Sequence, residues 1–218
     1  AGCSNLITVR VMGWPDGSPA LDYTVNNAVG YPMMTGAGPE PVNHVLPAWD
    51  LLTGAYSAFA LVSALRRRDA TGDGCEVRVP LSDVAIGTVA NLGGVAEMNY
   101  TKSDRPRLGN VVYGLFGSDF VTADGIRTMI VVVTPRQWVN LVSALNLGDS
   151  VSRLEAERGV SFATDNGLRF VHRDALMPLF CTAIASRTYK DLVTALDDGG
   201  IVHSAYRTMQ EAVNDPSL

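Results

Sequence analysis

One carboxylate in this 218-residue chain stands where a helix is about to begin. Asp50 closes the stretch Leu46-Pro47-Ala48-Trp49-Asp50 and is followed at once by Leu51-Leu52. A carboxylate at a helix mouth lies near backbone N–H groups that have no partner, and these favour its ionised form. Two readings of Asp50 are open at this level. It is a plain helix N-cap, or it is a nucleophilic carboxylate of the kind that forms an acyl-enzyme. His44 stands six residues earlier, while His172 and His203 are remote and show no metal-ligand spacing. Cys3, Cys75 and Cys181 are far apart and odd in number, and neither CxxC nor HExxH occurs. The expectation is therefore no metal, no disulfide framework and a reduced, cytoplasmic compartment. The segment from Gly109 to Gly117 is glycine-spaced but is neither GxGxxG nor a phosphate loop, and by itself it reads as a turn.

The elements that must carry these residues follow from periodicity. Leu6–Val11 alternates and predicts a strand. Gly13 to Pro47 is rich in Gly, Pro and Asn, with room for one short helix near Tyr23–Val29. A helix is predicted from Asp50 to about Arg68, with Leu51, Leu52, Ala55, Tyr56, Phe59, Val62 and Leu65 as its buried face. After the Thr71–Gly74 turn, Glu76–Leu81 predicts a second strand. Ser82 then reads as the cap of a helix reaching about Tyr100. That β–loop–α–β–α order is the grammar of a parallel α/β sheet.

The remainder has a different texture. Phe120–Thr122 and Thr128–Val133 flank an Asp124-Gly125 turn as a hairpin. Thr134-Pro135 starts a helix, and further helices are predicted near 150–158, 173–186, 189–196 and 208–214. The fold class is thus α/β: part of an open, Rossmann-like parallel sheet domain joined to a smaller α+β domain. The expected division is 1–103 for the large domain with Asp50, 104–200 for the small domain, and 201–218 as a segment returning to the large one.

Composition bounds the function classes. Hydrophobic residues make up 47% and charged residues 18%, below the roughly 25% charge typical of soluble domains. A charge-poor surface points to a partner. A net charge of −5 excludes the basic footprint that nucleic-acid binding needs. No apolar run is expected to reach the roughly 20 residues of a membrane span. Both chain ends look cut through a fold, and N- and C-terminal parts are expected to be missing.

Four stretches, in order, resemble the class III CoA-transferase family, which also contains the α-methylacyl-CoA racemases. The first is the strand LITVRV with Gly13-Trp14-Pro15-Asp16-Gly17 and Asp22-Tyr23. The second is Asp50 with Ala64-Leu65-Arg66-Arg67-Arg68-Asp69-Ala70-Thr71-Gly72-Asp73-Gly74 and Ser82-Asp83. The third runs from Arg107-Leu108-Gly109-Asn110 to Thr122-Ala123-Asp124-Gly125 and Gln137-Trp138. The fourth is Thr208 to Asp215-Pro216. Within the family, Asn43-His44, Pro47-Ala48-Trp49-Asp50 and Tyr113-Gly114-Leu115-Phe116-Gly117 look most like the branch that includes the intramolecular mesaconyl-CoA C1–C4 transferase.

The resemblance implies that Asp50 is the catalytic nucleophile and that coenzyme A enters as acyl-CoA substrate, with no metal. It implies that His44, Asn110, Tyr113, Gly114 and Gly117 border the substrate, the glycine-spaced loop serving as a lid. A carboxylic acid is the second substrate, and the working form is an interlocked homodimer without nucleic-acid or membrane partners. Racemase relatives place a histidine where this chain has Leu21, which favours transfer of CoA between carboxylic acids over α-epimerisation. The alternatives are that racemase chemistry, or an inactive fragment or subunit.

Overall fold

The computed structural model describes residues 4–217. Cys3 lies outside them. The chain divides into two compact units, Ala1–Gly109 and Asn110–Leu218.

In the first unit, β1 (Ile7–Met12) and β2 (Cys75–Pro80) pair in parallel, Ile7 opposite Cys75 through Met12 opposite Pro80. Parallel neighbours need a crossover. Here it contains α1 (Asp22–Ala28), α2 (Tyr31–Met34) and the 24-residue α3 (Ala48–Thr71). The predicted single helix after β2 is two: α4 (Leu81–Asn91) and α5 (Gly94–Thr101). The break falls at Gly93, whose φ of +83° is open to glycine at no steric cost. Ser82 does not cap α4. It lies inside the first turn, buried, with its hydroxyl unpartnered among the described residues.

A larger correction concerns α3. Its expected buried face is mostly open: Leu51, Ala55, Tyr56 and Val62 are exposed, and Phe59 is 74% exposed. The side chains that α3 does bury are Trp49, Thr53 and Ala64. Periodicity located the apolar stripe, but the stripe has no cover within this unit. By length and composition α3 is also long and apolar enough to cross a bilayer, contrary to the reading of its sequence, although only 17% of the qualifying window is buried. Interspersed Ala, Gly and Ser residues disguise the run without making it polar.

The second unit has a separate antiparallel sheet in the order β3 (Phe116–Val121), β4 (Arg127–Val132), β5 (Val202–Ala205). Residues 201–218, expected to return to the large domain, contribute β5 and α11 (Met209–Val213) to this unit. Five helices lie between β4 and β5: α6 (Pro135–Ala144), α7 (Gly148–Arg158), α8 (Asn166–Val171), α9 (Arg173–Ala185) and α10 (Tyr189–Asp198). Thr134 and Gln137 form a full capping box at α6, with Pro135 as the first helical residue, as its sequence predicts.

Candidate active site

Pro47 precedes α3, and Asp50 is the helix's third residue. Asp50 is therefore not the N-cap. That duty falls to Asp22, which comes from α1 and is only 2% exposed. Asp22 Oδ2 accepts the backbone N–H of Trp49 at 2.6 Å and that of Asp50 at 3.2 Å. The Ala48 N–H reaches Leu46 O, and the Leu51 N–H begins the regular ladder on Pro47 O. Every donor of the first turn is thus satisfied by the chain itself. The expectation that unpartnered helix N–H groups hold the Asp50 carboxylate is not met.

The other oxygen of Asp22, Oδ1, lies 2.5 Å from His44 Nε2. His44 is partly buried, with its ring edge-on to Tyr23 at 6.0 Å and tilted to Trp49 at 6.3 Å. Trp49 fixes the corner from the other side. Its ring is buried with Val25, Leu81 and Ala85, and its indole N–H donates to Asn26 Oδ1 at 3.1 Å. Asn26 in turn donates to Asn43 Oδ1 at 3.0 Å. Buried polar groups must be paired to avoid a desolvation penalty of about 1–3 kcal/mol, and here the pairing ties α1, the 43–47 loop and α3 together.

Asp50 is the exception in this network. Its residue is exposed, and its carboxylate has no hydrogen-bond or ion-pair partner among the described residues. A cavity of about 490 Å³ in the same unit, walled by Tyr31, Met33, Met34, Leu92 and Met98, does not include Asp50, His44 or Asp22.

The remaining anticipated residues belong to the second unit. Asn110 donates a side-chain hydrogen bond to Asp119, which also pairs with Arg127. Burial raises the Asp119 pKa, but the bonds from Arg127 and Asn110 outweigh it and hold the carboxyl below its usual range. Tyr113 packs edge-on against Phe170 at 5.0 Å. Gly114 occupies a turn with φ +80°. Gly117 is not part of a loop: it lies in β3 opposite Val131. Its carbonyl accepts the Val112 N–H at 2.9 Å, and a Cβ at this position would meet the Val112 side chain at 2.9 Å. Glycine is needed there for close packing of the preceding loop.

Sequence reasoning brought His44 and Asp50 into one unit but missed Asp22, Asn26 and Asn43 as a working set. A carboxylate and an asparagine spaced four apart in α1, around Val25, were the available signal. Their partners lie too far along the chain for spacing to reveal.

A parallel α/β unit followed by an antiparallel α+β unit is the fold class that the sequence leads one to expect. The chain belongs to CoA-transferase family III, whose model matches residues 3–218. It is 40% identical over 216 residues to the 2-methylfumaryl-CoA isomerase of Chloroflexus aurantiacus, a match covering 98% of this chain and 53% of that protein. It is 28% identical over 201 residues to the succinate–glutarate CoA-transferase of Agrobacterium fabrum, covering 90% and 47%. Among solved structures, a CaiB/BaiF family protein from Brucella suis superimposes with a TM-score of 0.74 at 24% identity, over 98% of this chain and 56% of that one. The chain spans about half the length of the curated relatives it matches.

Proposed function

We propose that the chain carries the nucleophile of a CoA-transferase that moves CoA between the carboxyl groups of dicarboxylic acids, within one molecule or between two. The observation that supports it most is Asp50: an exposed carboxylate without a partner, on a helix turn whose backbone is fully bonded. A dicarboxylic acyl group is suggested by the names of the two curated relatives given above.

In this reading Asp50 Oδ attacks the thioester carbonyl of an acyl-CoA. The C–S bond breaks, CoA leaves as thiolate, and a mixed anhydride forms. The thiolate then attacks the aspartyl carbonyl, releasing the acyl group as a carboxylate and leaving an aspartyl-CoA thioester. A second carboxyl group, on another acid or at the far end of the same one, attacks that thioester and displaces the thiolate again. The thiolate adds to the new acyl carbonyl, forms the product thioester and frees Asp50. Each step exchanges groups of similar energy, so neither ATP nor a metal is required by the balance. The reading carries with it a cytoplasmic setting and a homodimer. Racemase chemistry has less support, because Leu21, where racemase relatives have histidine, is an exposed hydrocarbon.

The test is trapping. The complete enzyme is incubated with 2-methylfumaryl-CoA and quenched with hydroxylamine or borohydride, and the modified peptide is mapped by mass spectrometry. Label on Asp50 is expected. Asp50→Asn should abolish it and lower turnover by at least about 10³-fold, because an amide cannot form the anhydride. Label on a different carboxylate, or near-normal turnover of the variant, overturns the assignment. Deuterium washing into the α-carbon of a 2-methylacyl-CoA would transfer the case to racemase chemistry.

A further inference from the structure

The mechanism leaves a buried carboxylate unused. Asp22 is deeper than Asp50, and its two oxygens are divided between two tasks. Oδ1 is held by His44 Nε2 at 2.5 Å, and Oδ2 takes the N–H groups of Trp49 and Asp50. A helix N-terminus normally stabilises an anion in its first turn through those N–H groups and the helix dipole. An aspartate at the third helical position, such as Asp50, is well placed to fold back onto them. Stabilising the anion in that way would lower its nucleophilicity and turn it away from substrate.

We infer that Asp22, anchored by His44, is a positioning residue that keeps Asp50 reactive by occupying the helix-terminus donors Asp50 would otherwise use; this rests on the reading of Asp50 as nucleophile. The arrangement has two consequences. The first turn of α3 is locked by a group outside the helix, so the Cα of Asp50 is fixed without spending the Asp50 side chain. The same two bonds leave neither the Trp49 nor the Asp50 N–H free to quiet the Asp50 carboxylate. His44 holds the far oxygen of Asp22, and its ring is braced by Tyr23 and Trp49. Thus His44 acts on Asp50 through Asp22.

The experiment measures, in the complete enzyme, the single-turnover rate at which hydroxylamine-trappable label from 2-methylfumaryl-CoA appears on Asp50, per folded site, together with KM. Asp22→Ala should slow labelling by about 10- to 100-fold, the scale of a misplaced reacting group, while KM moves less than about 3-fold. Asp22→Asn keeps an oxygen for the two N–H groups and should recover most of the rate. His44→Ala, which leaves Asp22 in place but unanchored, should fall between wild type and Asp22→Ala. A merely structural role would reduce the amount of folded enzyme without splitting rate from KM. If Asp22→Ala does not fold, His44→Ala decides the matter. Labelling of Asp50 at the wild-type rate in folded Asp22→Ala, or in His44→Ala where Asp22→Ala does not fold, overturns this inference and leaves the nucleophile assignment standing. A wild-type enzyme labelled elsewhere than Asp50 breaks the earlier reading instead.

Discussion

Residues 110–218 build one continuous apolar interior, running from Phe116 on β3 through Trp138 on α6 and Phe180 on α9 to Ile201. Residues 1–109 bury a cluster of four around Trp49, with Val25, Leu81 and Ala85, and set beside it the polar side chains of Asp22 and Asn26. The second unit therefore has the means to hold itself together by hydrophobic burial. The first places polar groups where a larger apolar core would otherwise form, and those groups fix the start of α3. Its longest helix leaves an apolar stripe in solvent. Stability and positioning are thus concentrated in different halves of the chain, and the difference can be attacked from either side.

The largest effect on stability is expected in the second unit. Phe180 is fully buried, with its ring 4.6 Å from Phe116 and 5.5 Å from Trp138. Phe180→Ala removes the centre of this aromatic cluster and should cost about 3–5 kcal/mol. Hydrogen exchange resolved by peptide should show the loss across residues 116–201, with α3 protection little changed. Equal loss of protection in both units would mean that they unfold as one body and would break the comparison.

The contrast also explains what was legible in the sequence. The second unit announced itself through local rules. Thr134-Pro135 with Gln137 is a capping box on sight, and α7, α9 and α10 follow from apolar spacing closed by local interactions. The four-residue β5 escaped because so short a run, Val202–Ala205, has no pattern before its partner β4 is known. In the first unit the strands and Asp50 were readable. The site's support was not, since Asp22 finds His44 at a separation of 22 residues and the Asp50 N–H at 28. The α3 stripe was read correctly as apolar and wrongly as buried: periodicity reports that a face seeks cover, never that cover is present. Gly117 misled in the same way, because glycine spacing resembles a flexible loop whether it serves motion or, as here, close packing in a strand.

A smaller effect should appear in acid. Bonds from Arg127 and Asn110 hold the Asp119 carboxyl below its ordinary value despite burial. A carboxylate depressed in the folded state stabilises above its unfolded pKa of about 3.9 and loses that contribution as pH falls through the folded value. Stability of the second unit should decline below about pH 4, and Asp119→Asn should flatten that limb while lowering stability at pH 7. Denaturant midpoints measured from pH 2.5 to 7 check this. An unchanged acid limb in the variant would show that the tie between Asn110, Asp119 and Arg127 contributes nothing to the unit.

The smallest effect is expected where the sequence promised one of the largest. Phe59 belongs to the predicted buried face of α3, yet it is 74% exposed. A buried Phe replaced by a small residue would cost several kcal/mol, whereas an exposed one has no packing to lose. Phe59→Ser should therefore change the unfolding free energy of this 218-residue chain by no more than about 0.5 kcal/mol, the range of ordinary surface substitutions. Serine forms helix somewhat less readily than most residues but not by enough to exceed that range. Denaturant unfolding at two protein concentrations a hundredfold apart tests the point. A small, concentration-independent change sharpens the contrast between a self-sufficient second unit and an uncovered first one. A loss above about 2 kcal/mol at the higher concentration that shrinks on dilution would mean that copies of the chain cover the α3 stripe in solution, since stability gained by association follows mass action.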